Sequence, residues 1–249
     1  MSQMDEKLVP HPHLKKFYQD ESQRKEFVNG IFDDTASTYD PVNNILSLGS
    51  GVWYRKQALL RSGLTPEMHV LDVATGTGLV AESELSIVGP KGSVMGLDRS
   101  YNMLTEVGKK LNIALVQGDA NGLPFADDSF HFLTMGYALR HVDDLKGTFK
   151  EYFRVLKPGG ILLILELMRP TNKMIYRMVY LYFRLMVAII SMPNFGGKNE
   201  GKLIQYYWDT IDQFVGSNTL INTLTETGFE KVKSHQIVNF FTEFVAIKP

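Results

Sequence analysis

HVLDVATGTG, residues 69–78, is an apolar run that breaks on an acid and then on two glycines one residue apart. The apolar half reads as a buried strand. The glycine half reads as a tight turn opening a helix, because LVAESELSIVG, residues 79–89, follows with helical spacing. Downstream, SVMGLDRS (93–100), YNMLTEVGKKLN (101–112) and IALVQGDA (113–120) repeat the alternation of apolar run and helical pattern. Such alternation is the sequence form of βαβ units, which force parallel strands joined by crossover helices. The expected fold is α/β, with a Rossmann-like, doubly wound, mostly parallel sheet.

Further along, SFHFLTMGY (129–137) reads as a strand and Leu145 to Leu156 as a helix stopped by Lys157-Pro158-Gly159-Gly160. Ile161 to Leu167 is the next strand. Then the alternation ends. Residues 171–215 form a mostly helical insertion rich in Tyr, Phe and Met, and Ser217 to Gly228 reads as a final helix with Gly228 as its stop. Residues 229–237 and 240–247 have strand composition and suggest an antiparallel hairpin closing the sheet edge. Ahead of the core, residues 14–60 are helical in pattern, with interruptions at Asp33-Asp34, Tyr39-Asp40-Pro41 and Gly49-Ser50-Gly51. Open α/β sheets bind ligands at the carboxyl ends of their strands. An N-terminal lid (1–60) and the insertion (about 171–215) of a core spanning 61–249 are therefore placed to roof one crevice.

The chain has 249 residues, 26 basic against 27 acidic, and no long run of one sign, so there is no electrostatic footprint for nucleic acid. It contains no cysteine, which removes disulfides, thiolate zinc sites and cysteine nucleophiles together. The six histidines show no metal-ligand spacing, and no metal is implied. MSQMDEKLVPHPHLKKFY, residues 1–18, has no apolar stretch of signal-peptide type, which points to a cytoplasmic protein. MIYRMVYLYFRLMVAIISM, residues 174–192, has the length of a membrane span, yet Arg177 and Arg184 interrupt it. It reads as a cap helix over the core, with contact at a membrane surface as the rival reading and a span as the poorest.

Gly76-Thr77-Gly78, with Ala81 three residues on, satisfies the pattern G-x-G-x-x-[GA]. Asp98, twenty residues after Gly78 at the end of the next strand, is placed to accept from a ribose hydroxyl pair. Both features suit NAD and S-adenosylmethionine (SAM) alike. Asp72 separates them, because a carboxylate beside the loop repels a pyrophosphate and suits a ligand bearing an ammonium and a sulfonium. Asp119, at the third strand end, is a candidate partner for the adenine amino group. Taken singly, Asp72 is a helix cap or loop acid, the glycines are turn residues and Asp119 is a turn acid before Pro124.

LDVATGTG, GLDRSYNML, GDANGLPFADDSF, ALRHVDD and RVLKPGG, in this order, resemble class I SAM methyltransferases, and among them the ubiquinone/menaquinone-biosynthesis C-methyltransferases of UbiE type. The similarity starts at IFDDTASTYDPVNNILSLGSGVWYRKQAL and runs through LELMRPTN. It implies that Asp72, Gly76, Thr77 and Gly78 meet the methionine end of SAM, Asp98 the ribose, and Asp119 with Ala120 the adenine. By the same resemblance Gly136 lies near the methionyl group, Tyr39 closes the pocket, and Ala74, Thr75, Arg99, Met103 and Tyr137 complete the cofactor contacts. Leu79 stands where the family often has an acid, and Arg140-His141 where it usually has Arg-Asn. Beyond residue 200 the family's pattern is followed only loosely.

The expected reaction is transfer of a methyl group to a small, lipophilic, quinol-like acceptor. If a ring carbon is methylated, a phenolic proton must leave, which calls for a base or a phenolate partner. Arg140, always charged, suits the phenolate, and His141 could take the proton; Arg140 is the favoured candidate. The plainer reading of His141 is a solvent-facing residue at a helix start. Asn43, Tyr180, Phe183, Tyr206 and Tyr207 are candidates to line the acceptor pocket, with ordinary core packing as the equal alternative. A homodimer and a peripheral membrane contact are further expectations. The rivals are methyl transfer to another small phenol, amine or carbon acid, a NAD-binding oxidoreductase, and a silent SAM-fold subunit.

Overall fold

The computed structural model describes residues 7–192 and 194–249, so the first six residues of the expected lid lie outside it. Seven strands form one sheet: β1 (His69–Val73), β2 (Ser93–Asp98), β3 (Ala114–Gln117), β4 (Phe130–Gly136), β5 (Leu156–Leu167), β6 (Glu230–Ile237) and β7 (Phe241–Ile247). Their order is β3-β2-β1-β4-β5-β7-β6. The first five are parallel, and β7 enters antiparallel between β5 and β6. The order reverses between β1 and β4, and the crevice of a doubly wound sheet opens at that point.

Helices α4 (Ala81–Val88), α5 (Tyr101–Lys110), α6 (Leu145–Val155) and α9 (Ser217–Glu226) cover the sheet. Their caps follow from sequence: Ser100 accepts from Met103 N–H to start α5, and Asp144 accepts from Lys146 and Gly147 N–H to start α6. Leu71, Val73, Leu133, Leu162 and Ile164 pack with Phe149, Tyr152 and Leu224 in the core on one face. Val70, Phe132, Leu163 and Leu165 face the other way, against Leu59, from α3 (Gly51–Ser62), and Ala81.

Of the expected interruptions, that at Asp33-Asp34 is absent, whereas the break at Tyr39-Asp40-Pro41 falls just before those residues, in the 3-10 turn Ala36–Thr38. Helix α1 (Glu21–Thr35) runs through Asp33-Asp34, and α2 (Tyr39–Leu46) begins on Tyr39-Asp40-Pro41, where proline in a first turn loses no intrahelical bond. Gly49-Ser50-Gly51 does break the chain between α2 and α3. Likewise Lys157-Pro158-Gly159-Gly160 does not separate helix from strand: β5 starts at Leu156, and Gly159 N–H reaches the Lys248 carbonyl at 2.8 Å.

A second core lies above the carboxyl edge of the sheet. There α7 (Lys173–Ile190) and α8 (Lys198–Gln213) pack Phe183, Ile190, Leu203, Tyr206 and Ile211 against Leu14, Tyr18, Ile31 and Val42. The lid from the start of the chain and the late insertion thus share one apolar interior.

Candidate active site

At the crevice the chain leaves β1 through Ala74, Gly76 and Gly78, with φ of 55°, 57° and 85°. A side chain at Gly78 would also lie 3.1 Å from Leu111 and 3.2 Å from Val107, so glycine is required there for space as well as conformation. Asp98, ending β2, takes Gly76 N–H at 2.8 Å on one oxygen and Ser100 N–H at 2.9 Å on the other. Burial pushes its carboxyl up, against these amides, which favour the charge. Asp119 binds Arg99 at 2.8 Å and the backbone and side chain of Asn121 at 3.0 and 2.6 Å. Burial would raise its titration, but those bonds with the charges of Arg99 and Lys25 hold it below the ordinary value.

These groups border a partly enclosed cleft. Its walls include Tyr39, Ala74, Gly76, Asp98, Arg99, Met103, Asp119, Ala120, Gly136, Tyr137 and His141. Val28, Asn29 and Phe32 of α1, together with Ser100 and Asn121, also line it, and sequence reasoning missed all five. Asn121 had a signal, two residues after Asp119 in the same turn. The α1 residues had only helical spacing, which buried faces share.

Asp72 does not reach the cleft. Its carboxylate is 1% exposed and accepts from Thr75 Oγ1 at 2.6 Å and from Thr134 Oγ1 at 3.1 Å. Thr134 Oγ1 is also 2.5 Å from Glu84 Oε1, and Glu84 is wholly buried. Threonine has one hydroxyl hydrogen. With that hydrogen given to one carboxyl, the other must supply its own, so the buried pair holds a proton between its two acids. Burial and the Asp72 charge both push the Glu84 carboxyl well up, and burial raises Asp72 to about 7. The acid expected to face the cofactor therefore sits beneath the loop as one half of a buried pair. Thr75 and Thr77 are buried beside it, and Thr77 Oγ1 binds Asp40 of α2.

Arg140 and His141 share a 3-10 turn, Leu139–His141, and point apart. Arg140 is 1% exposed, bonded to Glu166 on β5 and, at 3.1 Å, to Thr210 on α8. Its guanidinium stands 5.5 Å over the Tyr207 ring. It is consequently turned away from the cleft, contrary to its expected role. His141 lies on the cleft wall rather than in solvent, with Nδ1 3.3 Å from the Tyr206 hydroxyl and Nε2 buried without a partner among the described residues. Burial, then the Arg140 charge, depress its titration well below the ordinary value, so the ring is neutral.

None of the five expected acceptor residues lines the cleft. Tyr180, Phe183, Tyr206 and Tyr207 belong to the lid core, where Tyr180 and Phe183 pack on Trp208 at 5.5 and 5.4 Å. Asn43 donates to the Tyr39 carbonyl at 3.1 Å. Their link to the cleft is second-hand: Tyr207 donates to the Tyr39 hydroxyl at 3.0 Å, and Tyr206 backs His141.

The residues present fit an adenosyl group joined to a cationic amino acid. Asp98 and Asp119 offer acceptors at two strand ends, Met103 and Ala120 offer apolar walls, and Gly136 leaves room where a side chain would meet Val80 at 2.8 Å. The lid is closed over this space, through Asp33 to Ser100, Asp40 to Thr77 and Lys110, and Arg24 to the carbonyls of Arg140 and Val142 at 3.1 Å each.

Residues 18–246 match the model of the ubiE/COQ5 methyltransferase family. The demethylmenaquinone methyltransferase of Staphylococcus aureus (strain JH9) is 38% identical over 234 residues, covering 91% of this chain and 93% of that one. Among solved structures, a SAM-dependent methyltransferase of Thermotoga maritima, a possible histamine N-methyltransferase, superposes with a TM-score of 0.64 at 20% identity, covering 88% and 99%. Haemonchus contortus phosphoethanolamine N-methyltransferase 2, solved with SAM, gives 0.61 at 20%, covering 91% and 59%. The [4+2]-cyclase SpnF gives 0.62 at 16%, covering 90% and 96%. At such identities the likeness is one of fold, and the cyclase shows that the fold does not fix the reaction.

Proposed function

Because the chain belongs to the ubiE/COQ5 methyltransferase family, we propose that its SAM-dependent methyl transfer is directed to a ring carbon of a lipophilic quinol. The observation that carries this reading is His141, which lines the cleft and whose buried Nε2 has no partner among the described residues. SAM supplies a methyl carbon already activated by its sulfonium. Asp98 would hold its ribose, Asp119 and Asn121 its adenine edge, and the Ala74–Gly76 turn with Gly136 its amino acid end. Asp72 supports the loop from beneath, through Thr75, rather than by contact with that end.

The acceptor carbon must then be made electron-rich. His141 Nε2 accepts the proton of a quinol hydroxyl, with Nδ1–H directed to the Tyr206 oxygen, and electron density moves into the ring. Arg140 acts as a positioning residue, clamping the turn that aims His141. Closure of the lid excludes water and aligns the two reactants. In this reading the described residues up to α2 serve as the lid, α3 packs with the core through Leu59, and 171–215 is the cap of the core. A cytoplasmic enzyme meeting the bilayer only at its surface, alone or as a homodimer, suits such an acceptor.

Labelled SAM and a panel of short-chain quinols test the reading. Transfer to a quinol carbon is expected, and His141→Ala should lower kcat on the order of 100-fold while S-adenosylhomocysteine still binds by calorimetry. Transfer to no quinol, or full activity in His141→Ala, refutes the acceptor or the base respectively.

A further inference from the structure

One face of α7 has no partner among the described residues. Met174, Met178, Leu181 and Leu185 are each more than half exposed, whereas Phe183, Met186 and Ile190 on the far side are buried in the lid core. Their spacing of four, three and four residues draws one stripe along the helix. A soluble monomer seldom leaves such a stripe bare.

The flanks of the stripe differ. At 100° per residue, Lys173, Arg177 and Arg184 fall on one side and Tyr182 on the other. The helix carries these three cations and no acid. At its N-terminal end Arg169, Lys173, Arg177 and Tyr176 line a shallow pocket. Arg169 is paired with Asp212 at 3.3 Å, whereas Lys173 and Arg177 form no ion pair among the described residues. On the other flank the Tyr182 hydroxyl donates to the Leu46 carbonyl at 2.6 Å, which fixes the α2–α3 corner against α7. That corner exposes Leu48, Val52 and Trp53.

We propose that this face docks on the surface of a bilayer containing anionic phospholipid, with the apolar stripe and Trp53 in the interface and the basic flank against lipid phosphates. Charge selects this occupant. A second copy of the chain would set like-charged α7 helices against each other, while an anionic surface is complementary to every ionisable group on the helix. The helix lies on the surface: among the described residues no helix is long and apolar enough to cross a membrane. The docking serves the lipophilic acceptor proposed above, but its geometry is independent of that reading.

Sedimentation of the full chain with vesicles of phosphatidylcholine, alone or with phosphatidylglycerol, tests the docking. Binding to the anionic vesicles is expected, weakened about tenfold or more by Leu181→Ser/Leu185→Ser and by salt near 1 M. Trp53 is one of only two tryptophans, and Trp208 is buried, so the emission should shift to shorter wavelength on binding, and Trp53→Phe should abolish the shift. The docking is refuted if anionic vesicles are ignored, if the double variant binds them equally, or if the parent is a dimer that the double variant splits while vesicles remain unbound. Methylation of a short-chain quinol without vesicles, expected to be equal in parent and double variant, separates the two readings. Activity without vesicle binding defeats only the docking, and vesicle binding without activity on any quinol defeats only the acceptor.

Discussion

Thr134 has a single hydroxyl hydrogen to give between the buried carboxyls of Asp72 and Glu84, so the pair retains a proton, and burial with the Asp72 charge pushes the Glu84 carboxyl well up. An acid that binds its proton more tightly in the fold than in the unfolded chain stabilises the fold at low pH, and that contribution disappears as pH rises. For Asp72 the loss runs from the ordinary value of 3.8 to about 7, and for Glu84 it begins near 4.5 and extends further. Replacing Glu84 with Gln keeps a donor to Thr134 and removes one titration. Urea unfolding of Glu84→Gln should therefore show a shallower decline between pH 5 and 8 than the parent. An unchanged slope would mean that the pair does not share its proton as described. The sequence placed Asp72 at the strand end correctly but could not give its direction, because that depends on Thr134 and Glu84, brought in by β4 and α4. Arg140 and His141 show the same limit. Adjacent in sequence, they are sent to opposite sides by one 3-10 turn, and the partner that claims Arg140, Glu166, lies on the next strand.

At the scale of elements, the alternation of apolar runs and helical spacing was enough to predict the parallel strands, since strands buried on both faces read as short continuous apolar runs set between longer amphipathic helices. The start of β5 was not legible, because the residues that accept Gly159 and Gly160 into the sheet lie at the far end of the chain, around Lys248. The Arg140–Glu166 pair joins the turn after β4 to the end of β5 within this frame. Burial pushes the Glu166 carboxyl up and the Arg140 charge restrains it. Glu166→Gln strands a buried guanidinium, which typically costs about 3–5 kcal/mol. Arg140→Met/Glu166→Met should cost markedly less in the same denaturation experiment, because no charge is left alone.

For the whole molecule, the N-terminal lid and the late insertion form one body that closes on the cofactor crevice from above. Ligand that binds only the folded, closed form stabilises it by mass action, by about 2.7 kcal/mol at a hundred times its Kd. Hydrogen exchange with saturating S-adenosylhomocysteine should slow most at the amides of α1 and α2, over Glu21–Leu46, and hardly at all in α9. Uniform slowing would show that the lid does not move as a unit. That α1 reaches the cleft through Val28, Asn29 and Phe32 was hidden in the sequence, since these residues look like any helix's buried side until the crevice they face is known.

Asp40 ties the lid to the glycine loop at Thr77 and to α5 at Lys110 with a single side chain. With Asp33 at Ser100 and Arg24 at the carbonyls of Arg140 and Val142, this tie is one of the contacts that must open when the lid moves aside. An enzyme whose ligand departs through such a door can have its pace set by the door even when the chemistry behind it is fast.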